Sequence, residues 1–116
     1  MNSSSKRKAI TAVVIAAGCL MAGGVVQAAD PVVSLVIKEH QFDPTEIKVP
    51  ANQRVKLNVH NQDSTPEEFE SHSLNREKLI PPGGKVVIFV GPLKPGRYDF
   101  FGDFNPATAK GVLVAE

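Results

Sequence analysis

From Val32 onward the apolar positions come in short runs, several of them with a period of two. Val55, Leu57 and Val59 alternate with Lys56, Asn58 and His60, and Ile47 and Val49 alternate with Glu46 and Lys48. Successive side chains of a strand point to opposite faces, so this alternation is the mark of half-buried strands. VVSLVI (32–37) and KVVIFV (85–90) are apolar, β-branched runs of strand length. FDPTEIKVP (42–50), EEFESHSL (67–74), RYDFF (97–101) and GVLVA (111–115) complete a set of about seven strands. NQDSTP (61–66), NREKLIPPGG (75–84), GPLKPG (91–96) and GDFNPATAK (102–110) read as loops and turns from their Asn, Asp, Pro and Gly content. No stretch free of Pro and Gly carries a helical period. The pattern predicts an all-β fold, an antiparallel sandwich or a small barrel. Tyr98, just after the turn ending at Gly96, suits either a tyrosine corner or plain packing at the sandwich edge.

The first residues follow other rules. Lys6, Arg7 and Lys8 precede an uncharged run from Ala9 to Ala29, and Val26-Gln27-Ala28 offers small residues around a cleavage site. This predicts a secretory signal peptide over residues 1–28, cleaved after about Ala28, and a single domain over 29–116. A retained membrane anchor is the alternative, since about 20 apolar residues span a bilayer. A lipoprotein anchor at Cys19 is a weaker one, because Ala16 stands where Leu is usual and the apolar run continues. With the signal go three of the 13 basic residues, against 12 acidic ones, so the exported domain carries a charge of about −2. A nucleic-acid partner would call for a basic face, and none is expected. Cys19, the one cysteine, leaves too, and with it any disulfide or thiolate ligand.

Candidate chemistry concentrates in EEFESH (67–72). Alternation puts Glu68, Glu70 and His72 on one face and Glu67, Phe69 and Ser71 on the other. Phe69 seeks the core, which sends the first set towards water. A solvated acidic face needs no function. Equally, ligand-type side chains crowded on one face repel each other, and a cation would relieve that. Asp103, beside Asn105 and among Phe100, Phe101 and Phe104, is a second candidate, and His40 before the Asp43-Pro44 turn a third. His60 reads as a surface residue. In a Greek-key sandwich, loops distant in sequence meet at one end, so these clusters could converge. Nucleophilic catalysis finds no support: the domain has no Cys, no Ser in an elbow context, and no phosphate-cradling glycine loop. A Glu pair could serve acid–base chemistry on sugars, but so short a domain offers little cleft for a glycan.

HxFxP (40–44), VPAxxxVxLxVxNxD (49–63), EEFES (67–71), REKxxPPGG (76–84), GPLxPGxYxFFGDF (91–104) and TAxG (108–111) together resemble a family. The likeness is to small periplasmic cupredoxin-like proteins that accompany bacterial high-affinity ferrous-iron permeases, and to the cupredoxin domain of EfeO-type iron-uptake proteins. It spans residues 32–116. The resemblance implies a cupredoxin-like Greek-key β-sandwich, a periplasmic location and a role in metal handling. In blue-copper members the last loop carries Cys, His three residues on, and then Met. Here Gly102 stands where the thiolate would be, Asn105 where the His would be, and no Met follows. No type 1 blue-copper site is therefore expected, because that chemistry rests on a Cu–thiolate bond. The first His of such a site would fall close to Glu68. The iron-associated relatives usually show GEFH or GDFH, so Asn105 departs from them also.

The expected metal ligands are His40, Glu68, Glu70, His72 and Asp103, an oxygen-rich set suited to Fe(II), Fe(III), Mn(II) or Cu(II) rather than Cu(I). The resemblance implies iron and/or copper binding in aid of ferrous-iron uptake, by delivery to a membrane permease or by Fe(II) oxidation. Carboxylates favour Fe(III) over Fe(II), which gives an oxidation role its physical basis. A ferroxidase cycle also needs an electron acceptor that the sequence does not name, so binding is the primary expectation. The expected partners are an iron permease or other periplasmic iron-uptake components, with contact to the membrane only through them. Two rivals remain: a non-catalytic interaction domain docking on a permease or partner protein through the polar face of EEFESH, and a Cu(II) buffer or chaperone.

Overall fold

The alternating segments do form strands. A computed structural model describes residues 29–116; the predicted signal peptide over 1–28, with Cys19, lies outside the described residues. The strands are β1 (Val32–Lys38), β2 (Gln41–Asp43), β3 (Glu46–Val49), β4 (Val55–Asn61), β5 (Glu67–Ser71), β6 (Arg76–Ile80), β7 (Lys85–Val90), β8 (Gly96–Gly102) and β9 (Lys110–Ala115). They build two sheets, one ordered β2-β1-β4-β7 and the other β3-β9-β8-β5-β6. The expected all-β sandwich is therefore present, with three corrections.

Nine strands replace the expected seven or so, for two reasons. The segment 42–50 is two strands in different sheets, because the chain crosses over at Asp43-Pro44, where proline has no N–H to continue a ladder. Arg76–Ile80, read as loop, is an edge strand of which only Ile80 is buried. With Leu79 left 53 % exposed, its side chains carry no apolar alternation to betray it. Third, the pairing is mixed rather than wholly antiparallel: β1 runs parallel to β4, and β3 parallel to β9. Side-chain alternation is identical in both directions, so the pattern along a chain is silent on this point.

The inner faces close on a core in which Leu35, Ile37, Val55, Leu57 and Val59 of one sheet meet Phe69, Ile80, Phe100 and Leu113 of the other, all nearly inaccessible. Phe69 and Phe100 stack at 5.1 Å between centroids, and Phe42 meets Phe100 edge-on at 5.0 Å and Phe69 at 6.1 Å. Such geometries add about 0.5–1.5 kcal/mol per pair to the area buried. Gly111, opposite Phe100 on β9, leaves the ring its space, since a Cβ there would overlap it. At one end the buried Asn61 amide donates to the carbonyls of Thr65, Ile80 and Pro81 at 2.9, 3.2 and 3.3 Å and accepts from Asp63 N–H at 3.0 Å. One side chain thus fixes the loop that leads into β5. The Tyr98 hydroxyl donates to the Lys94 carbonyl at 2.7 Å, the tyrosine-corner arrangement.

The aromatic trio holds β2, β5 and β8 together. Phe100→Ala is expected to destabilise the fold by about 3–5 kcal/mol. Urea unfolding followed by far-UV circular dichroism measures this.

Candidate metal centre

β5 is a regular strand in which buried Glu67, Phe69 and Ser71 alternate with half-buried Glu68 and Glu70. Its neighbours extend both faces. On one side β6 sets Leu79 opposite Glu68 and Glu77 opposite Glu70; on the other, β8 sets Phe101 opposite Glu70. The chain then leaves β8 with Asp103, whose N–H donates to the Glu68 carbonyl at 2.8 Å and so continues the ladder by one step. Glu68, Glu70 and Asp103 consequently share one outer face, with a ligand oxygen of each within 4.8 Å of the others.

Three of the five expected ligands are thus brought together; His72 flanks them in a groove shared with Glu70 and Glu77, and His40 stands apart. His72 lies just past β5, exposed, with its ring tilted against Phe101 at 5.6 Å. His40 lies in the β1–β2 turn in a left-handed conformation (φ 58°), its N–H donating to the Asp63 carboxylate at 2.9 Å and its Nδ1 3.6 Å from the same group. Thr108 ties that turn to the last loop by donating to the His40 carbonyl at 2.6 Å. The backbone of His40 therefore meets the Asp103 loop, while its imidazole faces Asp63.

Two acidic residues beyond the expected ligands shape the site. Glu77 of β6 faces outward beside Glu70, and its charge acts on Glu68. It lay in the segment read as loop, so no pattern in the sequence marked it. Glu67 points the other way and is 1 % exposed. Its parity with Phe69 was visible, but a carboxylate at an inward position reads as an exception until its donors are known. They are the N–H groups of Glu68 and Phe104, both to Oε1 at 2.9 Å, and the Asn105 amide, to Oε2 at 2.8 Å.

The outer cluster is electrostatically tense. Partial burial first, and then the charges of Glu77, Asp103 and Glu70, push the Glu68 carboxyl above its ordinary value of 4.5. The cluster offers hard oxygen donors only, a set that suits Mg(II), Mn(II), Fe(II) or Fe(III).

Comparison with known proteins gives a family and a fold. The model of the cupredoxin-like domain matches residues 9–115. The uncharacterised protein RP394 of Rickettsia prowazekii is 46 % identical over 82 residues, covering 71 % of this chain. The chain spans 66 % of that relative's length, just under two thirds. The metal-binding domain of a Cu(I)-exporting P-type ATPase, CopA, from Streptococcus pneumoniae D39 superposes with a TM-score of 0.69 at 14 % identity, over 79 % of this chain and 91 % of that one. Auracyanin A, a "blue" copper protein from Chloroflexus aurantiacus, gives 0.66 at 15 % identity, over 76 % and 100 %. At such identities the likeness is one of fold.

The inner cluster requires a glycine at 102. A Cβ there would lie 2.6 Å from Glu67 Cδ and 2.7 Å from Ala109 Cβ. Because three hydrogen bonds hold the Glu67 carboxylate, Gly102→Ala is expected to cost about 1–3 kcal/mol, the usual range for overpacking. Chemical denaturation gives the value, and a variant as stable as the wild type would contradict the packing described.

Proposed function

The chain belongs to the cupredoxin-like domain family, and from that premise we propose that it is an exported protein binding a hard metal cation at Glu68, Glu70 and Asp103. Iron is the cation proposed, and assistance to ferrous-iron uptake the role, by delivery to a membrane permease. The observation that carries the reading is the meeting of three carboxylates from β5 and the β8–β9 loop, each with an oxygen within 4.8 Å of the others. Like charges so close raise one another's energy, and a divalent or trivalent ion removes that cost.

A type 1 copper ion does not fit this sandwich. The position that the resemblance gives its thiolate is Gly102, where a Cβ has no room beside Glu67 and Ala109. Among the described residues there is no cysteine at all. Asn105 commits its amide to Glu67. The interior donors are thus already partnered, and the outer cluster is too hard for Cu(I). Cu(II) stays compatible with carboxylates, so a Cu(II) buffer is the nearest rival. The docking-domain rival would use the polar outer face of EEFESH (67–72) as its contact surface for a permease or partner protein.

Anaerobic titration with Fe(II), and with Mn(II) as a redox-silent probe, tests the reading. Binding tighter than about 1 mM is expected, lost in the Glu68→Ala/Glu70→Ala pair. At 100 times its dissociation constant the ion should stabilise the fold by about 2.7 kcal/mol. Binding that is weaker, or unchanged in the double variant, would sink the metal reading. Oxygen consumption with Fe(II) separates ferroxidase from carrier.

The apo protein has a pH signature of its own. Glu68 holds its proton more firmly folded than unfolded, so its contribution to stability is fully present below the ordinary 4.5 and is lost as pH rises through the raised folded value. In EDTA, Glu68→Gln should match the wild type in melting temperature at low pH and exceed it increasingly towards pH 7. Excess Mn(II) should abolish the advantage.

A further inference from the structure

The strand that presents Glu68 and Glu70 outward turns a third carboxylate inward. Two of the donors around Glu67, the Phe104 N–H and the Asn105 amide, belong to the loop that carries Asp103. The one strand β5 therefore holds the loop by consecutive residues. The Glu68 carbonyl takes the Asp103 N–H, and the Glu67 side chain takes the N–H of the next residue, Phe104. Asn105 closes the loop further along, where its carbonyl accepts from Ala109 N–H at 2.8 Å and its N–H donates to the Gly102 carbonyl at 3.1 Å.

We propose that Glu67 is the positioning residue of the Glu68, Glu70 and Asp103 site, its carboxylate filling the interior beside Gly102 and clamping the loop so that Asp103 stays against β5. The inference rests on the metal-binding reading above. Asp103 is exposed and has carboxylate oxygens of Glu68 and Glu70 within 4.8 Å, like charges that on their own would drive its loop outward. A carboxylate receiving three N–H donors makes charge-assisted bonds, among the strongest available to a protein. Set in the interior, the clamp counters that repulsion and orders the third ligand before the cation arrives, so binding need not pay for the ordering. Gly102 belongs to the same device: it leaves the space into which the Glu67 carboxylate fits, 2.6 Å from where a Cβ would stand. Interior and exterior are built from one pair of elements. The inward residues tie β5 to the loop, and the outward residues are left for the metal.

The experiment compares Glu67→Ala with Glu67→Gln in the full exported chain, using Mn(II) titration and amide hydrogen exchange. In Glu67→Gln the side-chain carbonyl still accepts from Glu68 and Phe104, and Asn105 keeps its bond by turning its amide. Glu67→Ala should lose at least about tenfold in Mn(II) affinity, as loss of a residue supporting a metal ligand typically does. Exchange at Asp103 and Phe104 should rise with it. Glu67→Gln should keep most of the affinity and the protection. Val59→Ala, buried in the opposite sheet, supplies a destabilised control whose affinity should not move. If Glu67→Ala does not fold, Asn105→Ala, which removes one of the three donors, serves in its place. Wild-type affinity in Glu67→Ala, or an equal loss in Val59→Ala, overturns the proposal. Should the wild type itself bind no Mn(II), the metal reading falls on its own. Exchange at Asp103 and Phe104 then decides the clamp, which unchanged protection in Glu67→Ala would refute.

Discussion

The regularity of β5 is the constraint on which this end of the molecule depends. Five residues without a bulge put Glu67, Phe69 and Ser71 inside and Glu68 and Glu70 outside. A slip of one residue would bury two carboxylates without donors and expel a phenylalanine. Phe69 prevents it, because its ring is fixed between Phe42 and Phe100. At the far end of the strand the Ser71 hydroxyl donates to the Asp99 carbonyl at 2.6 Å and accepts from Leu74 N–H at 3.2 Å. The aromatic core therefore sets the geometry of the polar face.

The same two elements, β5 and the loop after β8, can serve a metal in two ways. In the blue-copper pattern the ligands converge inside, and soft donors hold the ion away from water. Here the interior is occupied by bonds between protein groups only: a carboxylate, two backbone N–H groups and an amide. The donors that remain are on the surface and hard. On the metal-binding reading this favours an ion that enters and leaves, as delivery requires, over one sealed in for electron transfer.

A surface cluster of like charges is a cost to the apo fold, and together with partial burial it raises the Glu68 carboxyl above its ordinary value. The cluster persists because rigid parts hold it: two residues of a central strand, a facing residue of β6, and a loop whose backbone groups are tied down at both ends. The tension is stored locally, next to the surface where a cation can discharge it.

How much of this was legible beforehand follows from the range of each signal. Alternation is local, so the strands with one apolar face, from Val55–Val59 to Ile47–Val49, stood out, and the face shared by Glu68 and Glu70 could be read directly. That residues 29–116 contain no cysteine was equally plain, since Cys19 lies before them. β6 was not legible, since an edge strand with four exposed residues has no apolar period. His40 and His72 shared a residue type with metal ligands, but nothing along the chain said that one would face Asp63 and the other Phe101. By itself, then, the sequence determined which side chains share a face and which ligand chemistry was out of reach, because both depend on a few adjacent residues or on composition. Only the tertiary structure decided that Asp103 and Glu77 join Glu68 and Glu70, and that Glu67 fills the space beside Gly102. Strand order and register bring those residues together, and neither is encoded in the period of any one strand.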